Sequence, residues 1–295
     1  MAELHDHAYF NHRIVPIGEA NLSVASSAVL YGLSVYTVFY VYPEGNDYHA
    51  FRLSDHYQRL RSSAKIIGLD WPADLTFELF KVIVKDLIKA NAPMSPVFVR
   101  ATLHADGLVP GTRSKGVSTQ LSAFVYTASP IMKPSGVRLK TSQWRRIPDN
   151  SIPSRAKVNG AYVNSVLAHQ DALDAGYDDC IFLDLSGHVC ELAAANIFMV
   201  RRGTLITPDT SSDLLEGINR RAVIEMAKSE GIPVEERTVD LTELYIADEV
   251  FVCGTSAFLA SVAEIDGRTI DDTDNPITKK LSALHAAAIK NGDLL

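Results

Sequence analysis

The sequence predicts a mixed α/β protein of the α+β type, in two domains, rather than a doubly wound sheet. Three observations carry this. Runs rich in β-branched and aromatic residues interleave with amphipathic helical runs, no regular strand-helix-strand period appears, and a Pro-rich stretch near the middle divides the 295 residues. At roughly 150 residues per domain, the length alone suggests two.

The elements follow in order. Ser34 to Tyr42 (SVYTVFYVY) lies between Gly32 and the turn residues Pro43 to Asp47, with Tyr48 to Arg52 beyond, which predicts a hairpin with a five-residue turn. Ser54 is the expected cap of a helix whose Tyr57, Leu60, Ala64 and Ile67 form one stripe, and Gly68 ends it. A second helix, about Leu75 to Ala90, carries Phe80, Val84 and Leu87 on one face and stops at Asn91-Ala92-Pro93. Strand patterns at Val97 to Leu103 and Gln120 to Thr127 complete a small N-terminal domain, residues 1–127. The linker is expected at 128–136, where Pro130, Pro134 and Gly136 cluster.

The larger domain, 137–295, opens with a strand over Val137 to Trp144. A polar stretch from Arg145 to Asn159 leads into a helix running from about Ala161 to Gly176. Strands are expected at Asp179 to Asp184, His188 to Val200 and Thr204 to Thr207. A helix opening at Gly217-Ile218-Asn219 buries Ile218, Ala222, Val223 and Met226 and ends at Gly231. Val234 to Arg237, an apolar strand at Glu249 to Cys253 and a last helix near Ile277 to Lys290 follow.

Composition removes several functions. With 28 Lys+Arg against 35 Asp+Glu, the net charge of −7 and the lack of a basic cluster argue against nucleic acid or an anionic membrane as partner. At 47% hydrophobic and 21% charged residues, the chain is globular rather than disordered. Cys180, Cys190 and Cys253 form neither a disulfide ladder nor a zinc pattern, and their odd number fits a reducing compartment. No apolar run approaches the ~18 residues of a membrane span. The opening MAELHDHAYF has Glu3 and Asp6 where a signal peptide is basic and then apolar, so a cytoplasmic protein is expected. His5, His7 and His12 read as a frayed, solvated terminus, and no metal is expected. GxGxxG, GxxxxGK[ST], GxSxG and HExxH are all absent, so dinucleotide, P-loop, serine-hydrolase and zincin readings find no support.

The chemistry gathers at five places. Lys157 stands in a polar loop running into a helix, where a lysine is ordinarily a solvated charge. Glu191, in Cys-Glu-Leu-Ala-Ala-Ala-Asn-Ile-Phe, has small or apolar neighbours and no cation nearby in sequence. It is therefore either turned to solvent or met by a cation from the fold or a ligand, and the last option points to a cationic cofactor. Gly217-Ile218-Asn219-Arg220 opens a helix, whose N-terminal N–H groups suit a phosphate, although many ordinary helices start so. The turn Cys253-Gly254-Thr255-Ser256-Ala257 offers hydroxyls and N–H groups to the same anion, and Arg59 on its helix edge offers a guanidinium. An amine to form an imine, a carboxylate for a protonated ring nitrogen and a set of phosphate donors together describe a site for pyridoxal 5'-phosphate.

Those segments, Arg59 in HYQRLRSSAKIIG, Lys157 in IPSRAKVNGAY, Glu191 in CELAAANIF, the EGINR helix start and LYIADEVFVCGTSA, resemble the class IV (fold type IV) aminotransferases, most closely the branched-chain amino acid aminotransferases. The match runs from about residue 20 to 265. The resemblance implies a two-domain fold type IV enzyme and a homodimer or higher homo-oligomer. It implies that Lys157 binds the cofactor aldehyde and then moves the proton between substrate and cofactor. Glu191 pairs with the ring nitrogen, Tyr162 hydrogen-bonds the phenolate oxygen, and Arg59, Gly217, Ile218, Asn219 and Thr255 hold the phosphate. Substrate contacts are implied for Tyr31, Tyr36, Val38, Phe98, Arg100, Ser256 and Ala257, with Arg113 as a second candidate for a carboxylate.

The chain departs from the pattern at Tyr36-Thr37-Val38 (usually Phe-Glu-Gly), at Phe98 (usually Tyr), at Val158-Asn159 (usually Gly-Gly) and at Asn219 (usually Thr). The expected activity is transfer of an amino group from a hydrophobic, branched-chain L-amino acid to 2-oxoglutarate by a ping-pong mechanism. The altered pocket positions keep an (R)-amine or D-amino acid aminotransferase open, and after it an aminodeoxychorismate lyase.

Overall fold

The computed structural model describes residues 3–45, 47–108, 111–127, 136–270 and 274–295. The described chain forms two compact units, each on its own sheet. One takes Met1–Ser129, Ala156–Ala161 and Ala288–Leu295, the other Pro130–Arg155 and Tyr162–Ala287. The mixed α/β architecture follows the expectation. The division is not the single cut near 128–136 read from the sequence, because the segment with Lys157 groups with the first unit. Apart from Gly136, the expected linker lies outside the described residues.

The first unit contains β1 (Leu4–Phe10), β2 (Arg13–Pro16), α1 (Ser27–Tyr31), β3 (Ser34–Glu44), β4 (Asp47–Ala50), α2 (Leu53–Ile66), α3 (Phe77–Asn91), β5 (Val97–Ala105) and β6 (Thr119–Thr127). Its antiparallel sheet runs Asp293–Leu294, β4, β3, β5, β6, β1, β2. Side chains alternate across a strand. Val35, Phe39 and Val41 of β3 with Val97, Val99, Ala101 and Leu103 of β5 enter a core against Leu60 and Ala64 of α2 and Phe80, Val84 and Leu87 of α3. The intervening residues therefore line the opposite face.

Three expectations change here. The terminus with His5 and His7 is not frayed, because β1 pairs with both β2 and β6. The β3–β4 turn is tighter than five residues, since Glu44 pairs with Asp47 and Gly45 takes φ 61°. Pro43 is tolerated in β3 because the β5 ladder ends at Val41 and demands no N–H from it. Ser54 lies inside α2 and caps nothing. Arg52 is the N-cap, and the Asp293 carboxylate accepts from the Leu53 N–H at 2.9 Å.

The second unit contains β7 (Val137–Arg145), α4 (Tyr162–Asp174), β8 (Asp179–Leu183), β9 (Val189–Leu192), β10 (Asn196–Arg201), β11 (Thr204–Thr207), α5 (Ile218–Ser229), β12 (Val234–Glu236), α6 (Leu241–Leu244), β13 (Glu249–Gly254), β14 (Phe258–Ile265), β15 (Arg268–Thr269) and α7 (Pro276–Lys290). The mixed sheet runs β12, β11, β10, β13, β14, β7, β8, β9, with β15 on β14. The expected strand His188 to Val200 is two strands, because the chain leaves β8 at Leu192 and joins β13 at Asn196. The small residues Ala193 to Ala195 make that exit. A Cβ at Gly254 would lie 3.1 Å from the Ala194 carbonyl, so glycine permits the close approach. Met226 is half-buried rather than core. No described helix is long and apolar enough to cross a membrane.

Candidate active site

In the first unit, the segment Ala156–Ala161 covers the stretch of β3 edge that the short β4 leaves open. Tyr36 N–H donates to the Lys157 carbonyl (3.0 Å), Asn159 N–H donates to the Ser34 carbonyl (2.9 Å), and Val35 and Val158 pair. Ser63 Oγ accepts from Lys157 N–H at 3.1 Å. Backbone and helix together fix where the half-buried Lys157 begins. A Cβ at Gly32 would come within 2.7 Å of Gly160 Cα, so Tyr31-Gly32 approaches this segment only because residue 32 is glycine.

Lys157 Nζ lies 4.9 Å from the centroid of the Tyr36 ring, and Arg100 Cζ lies 3.7 Å from that same centroid. The ring's negative faces hold both cations. Arg100 Nη2 donates to Asn159 Oδ1 at 2.6 Å, and Asn159 Nδ2 donates to Ser34 Oγ at 2.6 Å. Val38 stands opposite Arg100 in the ladder, and Tyr40 opposite Phe98. The rings of Tyr40 and Tyr126 pack against Phe98 at 5.6 and 5.3 Å. Burial pushes the Tyr40 phenol up to about 12 and also raises Tyr126 against the pull of Arg100, so both stay neutral. One sheet face thus joins an amine, a guanidinium and an aromatic floor.

The other first-unit positions spread more widely. Arg59, half-buried on α2, donates from Nη2 to Thr37 Oγ1 (3.2 Å), which also meets His56 Nδ1 at 2.7 Å. Tyr31 is 46% exposed at the end of α1. Arg113 is exposed on its loop.

In the second unit, Glu191 on β9 is buried and held at both oxygens. Arg146 Nη2 lies 2.7 Å from Oε1, while Oε2 accepts from Asn196 Nδ2 (3.1 Å) and Leu215 N–H (3.2 Å). The fold itself supplies one cation, Arg146, so the burial of Glu191 does not by itself require a cationic ligand. Arg146 was missed because it lies 45 positions earlier; only the neighbouring of β7, β8 and β9 brings it there.

Gly217 is the N-cap of α5 with no side-chain cap, and no acidic residue occupies the first turn. The helix start therefore presents bare N–H groups and the positive end of a 12-residue dipole. A Cβ at Gly217 would run into Asn196 Oδ1, so this cap must be glycine. Ile218 and Asn219 are buried in the first turn. Asn219 Nδ2 donates to Thr255 Oγ1 at 3.3 Å, in the β13–β14 turn that continues with half-buried Ser256 and buried Ala257. His285 on α7, also missed, meets Asn219 Oδ1 at 2.8 Å; its signal was a polar residue on a buried helix stripe. Tyr162 is half-buried at the start of α4.

Burial raises all three thiols, Cys253 to about 12, so none is a ready nucleophile. What remains is an amine, a guanidinium-held carboxylate and an uncapped helix N-terminus flanked by Asn219 and Thr255. Taken unit by unit, the first offers an amine that suits an aldehyde, and the second a carboxylate and a helix N-terminus that suit a basic ring nitrogen and a phosphate.

Residues 34–265 match the family described as amino-transferase class IV. Over 287 residues, 96% of this chain and 92% of the relative, the sequence is 34% identical to a probable branched-chain-amino-acid aminotransferase of Synechocystis sp.. To the branched-chain-amino-acid aminotransferase of Escherichia coli it is 33% identical over 283 residues, 94% of this chain and 90% of that one. The crystal structure of the Thermoproteus uzoniensis branched-chain aminotransferase with norvaline superposes with a TM-score of 0.93 at 34% identity, covering 98% of this chain and 96% of that one. The crystal structure of the Thermobaculum terrenum branched-chain amino acid aminotransferase in its PLP-form gives 0.91 at 32% identity, covering 99% of this chain and 96% of that one. A fold type IV scaffold with an amine on a sheet edge and a buried carboxylate, matched over nearly its whole length, makes this chain a member of the class IV aminotransferase family.

Proposed function

We propose that the chain moves the amino group of a hydrophobic, branched-chain L-amino acid to 2-oxoglutarate in two successive half-reactions, with pyridoxal 5'-phosphate as cofactor. The observation that carries this is the shared Tyr36 ring, which places the Lys157 amine and the Arg100 guanidinium on one aromatic sheet face. Bound, pyridoxal 5'-phosphate supplies an electrophilic aldehyde and an electron-accepting ring. Lys157 Nζ holds that aldehyde and carries the proton leaving the substrate Cα. Glu191, paired with Arg146, would hold the ring nitrogen and stabilise a proton on it, and Tyr162 would donate to the phenolate oxygen. The N–H groups opening α5, Asn219 and Thr255 would bind the phosphate, and the guanidinium of Arg59 is of a type that would serve the same anion.

Val38, Tyr40, Phe98 and Tyr126 suit a branched aliphatic side chain. Arg100 suits the second carboxylate of 2-oxoglutarate or glutamate, with Tyr36 beneath it. The Tyr36-Thr37-Val38 and Phe98 substitutions support a second reading, an (R)-amine or D-amino acid donor on the same machinery. A homodimer fits the exposed Val163, Val166, Leu167 and Leu173 on α4.

The test is a donor panel read by the cofactor's visible band. L-leucine without an acceptor should shift the band, and 2-oxoglutarate should restore it; Lys157→Ala should lose both changes. A shift with D-alanine or (R)-1-phenylethylamine but not with L-leucine selects the second reading. A preparation that takes up no cofactor defeats the proposal.

A further inference from the structure

We infer that Asn196 is a positioning residue, a strut that holds the Glu191 carboxylate and the start of α5 at one fixed spacing. A ligand with a ring nitrogen and a phosphate is then met at both ends at once. The inference rests on the roles proposed above for Glu191 and for that helix start. All its parts lie in the second unit.

Asn196 opens β10 and is 6% exposed. Its Nδ2 donates to Glu191 Oε2 at 3.1 Å and to the Leu215 carbonyl at 3.0 Å. A backbone carbonyl only accepts, so the amide end that faces Leu215 is the nitrogen, and the oxygen points the other way. That oxygen lies against Gly217, where a Cβ would run into it. Leu215 closes the arrangement, because its own N–H donates to the same Glu191 oxygen at 3.2 Å. The residue two places before the α5 cap is thus gripped at both its N–H and its carbonyl. Arg146 makes a parallel tie, Nη2 to Glu191 Oε1 at 2.7 Å and Nε to the Asp213 carbonyl at 3.3 Å, but four residues short of the cap. Asn196 alone joins Glu191 to the capping residue itself. For a ligand held at two points, the second contact strengthens binding only as far as the two anchors match its length.

The apoprotein of the full chain is titrated with three probes. Pyridoxal 5'-phosphate and pyridoxal are followed by the visible band, and inorganic phosphate by the thermal stabilisation it confers. Pyridoxal lacks the phosphate and inorganic phosphate lacks the ring, so each tests one end. Asn196→Ala should weaken pyridoxal 5'-phosphate about tenfold, the scale of one hydrogen bond to a charged group, and change either fragment less than twofold. Gly217→Ala, whose Cβ displaces the Asn196 oxygen, should weaken pyridoxal 5'-phosphate in the same way and add little to Asn196→Ala. That comparison uses pyridoxal 5'-phosphate alone, so it holds whatever the affinity of the fragments. An equal fall in pyridoxal assigns Asn196 to Glu191 only, and an equal fall in inorganic phosphate assigns it to the helix only. Either result overturns the inference, as does a Gly217→Ala loss that persists in full beside Asn196→Ala. If Asn196→Ala does not fold, Asn196→Ser, polar but too short to span both contacts, gives the same readings. Wild-type protein that takes up no pyridoxal 5'-phosphate defeats the proposed function and this inference with it; wild type that binds while the variants at 196 match it defeats the inference alone.

Discussion

Arg146→Met tests the least exposed ion pair of the proposed site. The pair is short, at 2.7 Å, and the two side chains are 13% and 7% exposed. Removing one partner of a buried pair strands the other's charge, at roughly 3–5 kcal/mol. Glu191 retains Asn196 Nδ2 at 3.1 Å and Leu215 N–H at 3.2 Å, which places the loss near the lower bound, about 3 kcal/mol. For a chain of this size that is a fall of about 5 °C in Tm. Arg146→Met combined with Glu191→Gln keeps the shape of residue 191 and removes its charge, so most of the loss should return. The coupling between the two substitutions is read from urea or thermal denaturation of the four proteins. A loss below about 1 kcal/mol for Arg146→Met, or a double variant as unstable as the single one, would refute the claim that Glu191 depends on this guanidinium.

Asn159→Gly removes the 2.6 Å acceptor that holds Arg100 over Tyr36. KM for 2-oxoglutarate should rise about three- to tenfold, and more than KM for the monocarboxylate pyruvate; equal rises would show that Arg100 does not read the second carboxylate. His104 is held neutral down to about pH 4, chiefly by burial and secondarily by Arg100, with Asp106 opposing. As pH falls below about 6.5 the unfolded chain takes up this proton before the native one does, so native stability drops between about 6.5 and 4, by up to roughly 3 kcal/mol in all. Above 6.5 the residue contributes no slope. His104→Gln should flatten that part of the stability curve, and an unchanged slope would contradict the assignment.

The sequence exposes elements whose pattern is local. β3 reads clearly because SVYTVFYVY combines β propensity with clear bounds, and α3 because its apolar stripe starts at a threonine cap and meets a proline stop. β1 escapes because LHDHAYF alternates charged and imidazole side chains, as a strand near a sheet edge does. β14 escapes because FLASVAEI has no consistent period. The same division holds for chemistry. Lys157, Glu191 and the α5 start lie in compact motifs. Arg146 and His285 depend on strand order and helix docking, and the 66 positions between His285 and Asn219 leave no local trace. The apparent isolation of Glu191 was therefore a property of the chain, not of the folded protein.

The strand arrangement that carries Lys157 has a consequence for how such an enzyme changes its substrate. Position parity in β3 and β5 separates two faces, odd numbers turned to the packed interior and even numbers to the side that carries Lys157 and Arg100. Replacements at 36, 38, 40, 98 and 100 thus alter the proposed substrate face without entering the hydrophobic interior, and the amine stays registered because its own backbone is laced to Ser34 and Tyr36. Divergence at Tyr36, Val38 and Phe98 beside an unaltered lysine is the outcome such an uncoupled scaffold allows.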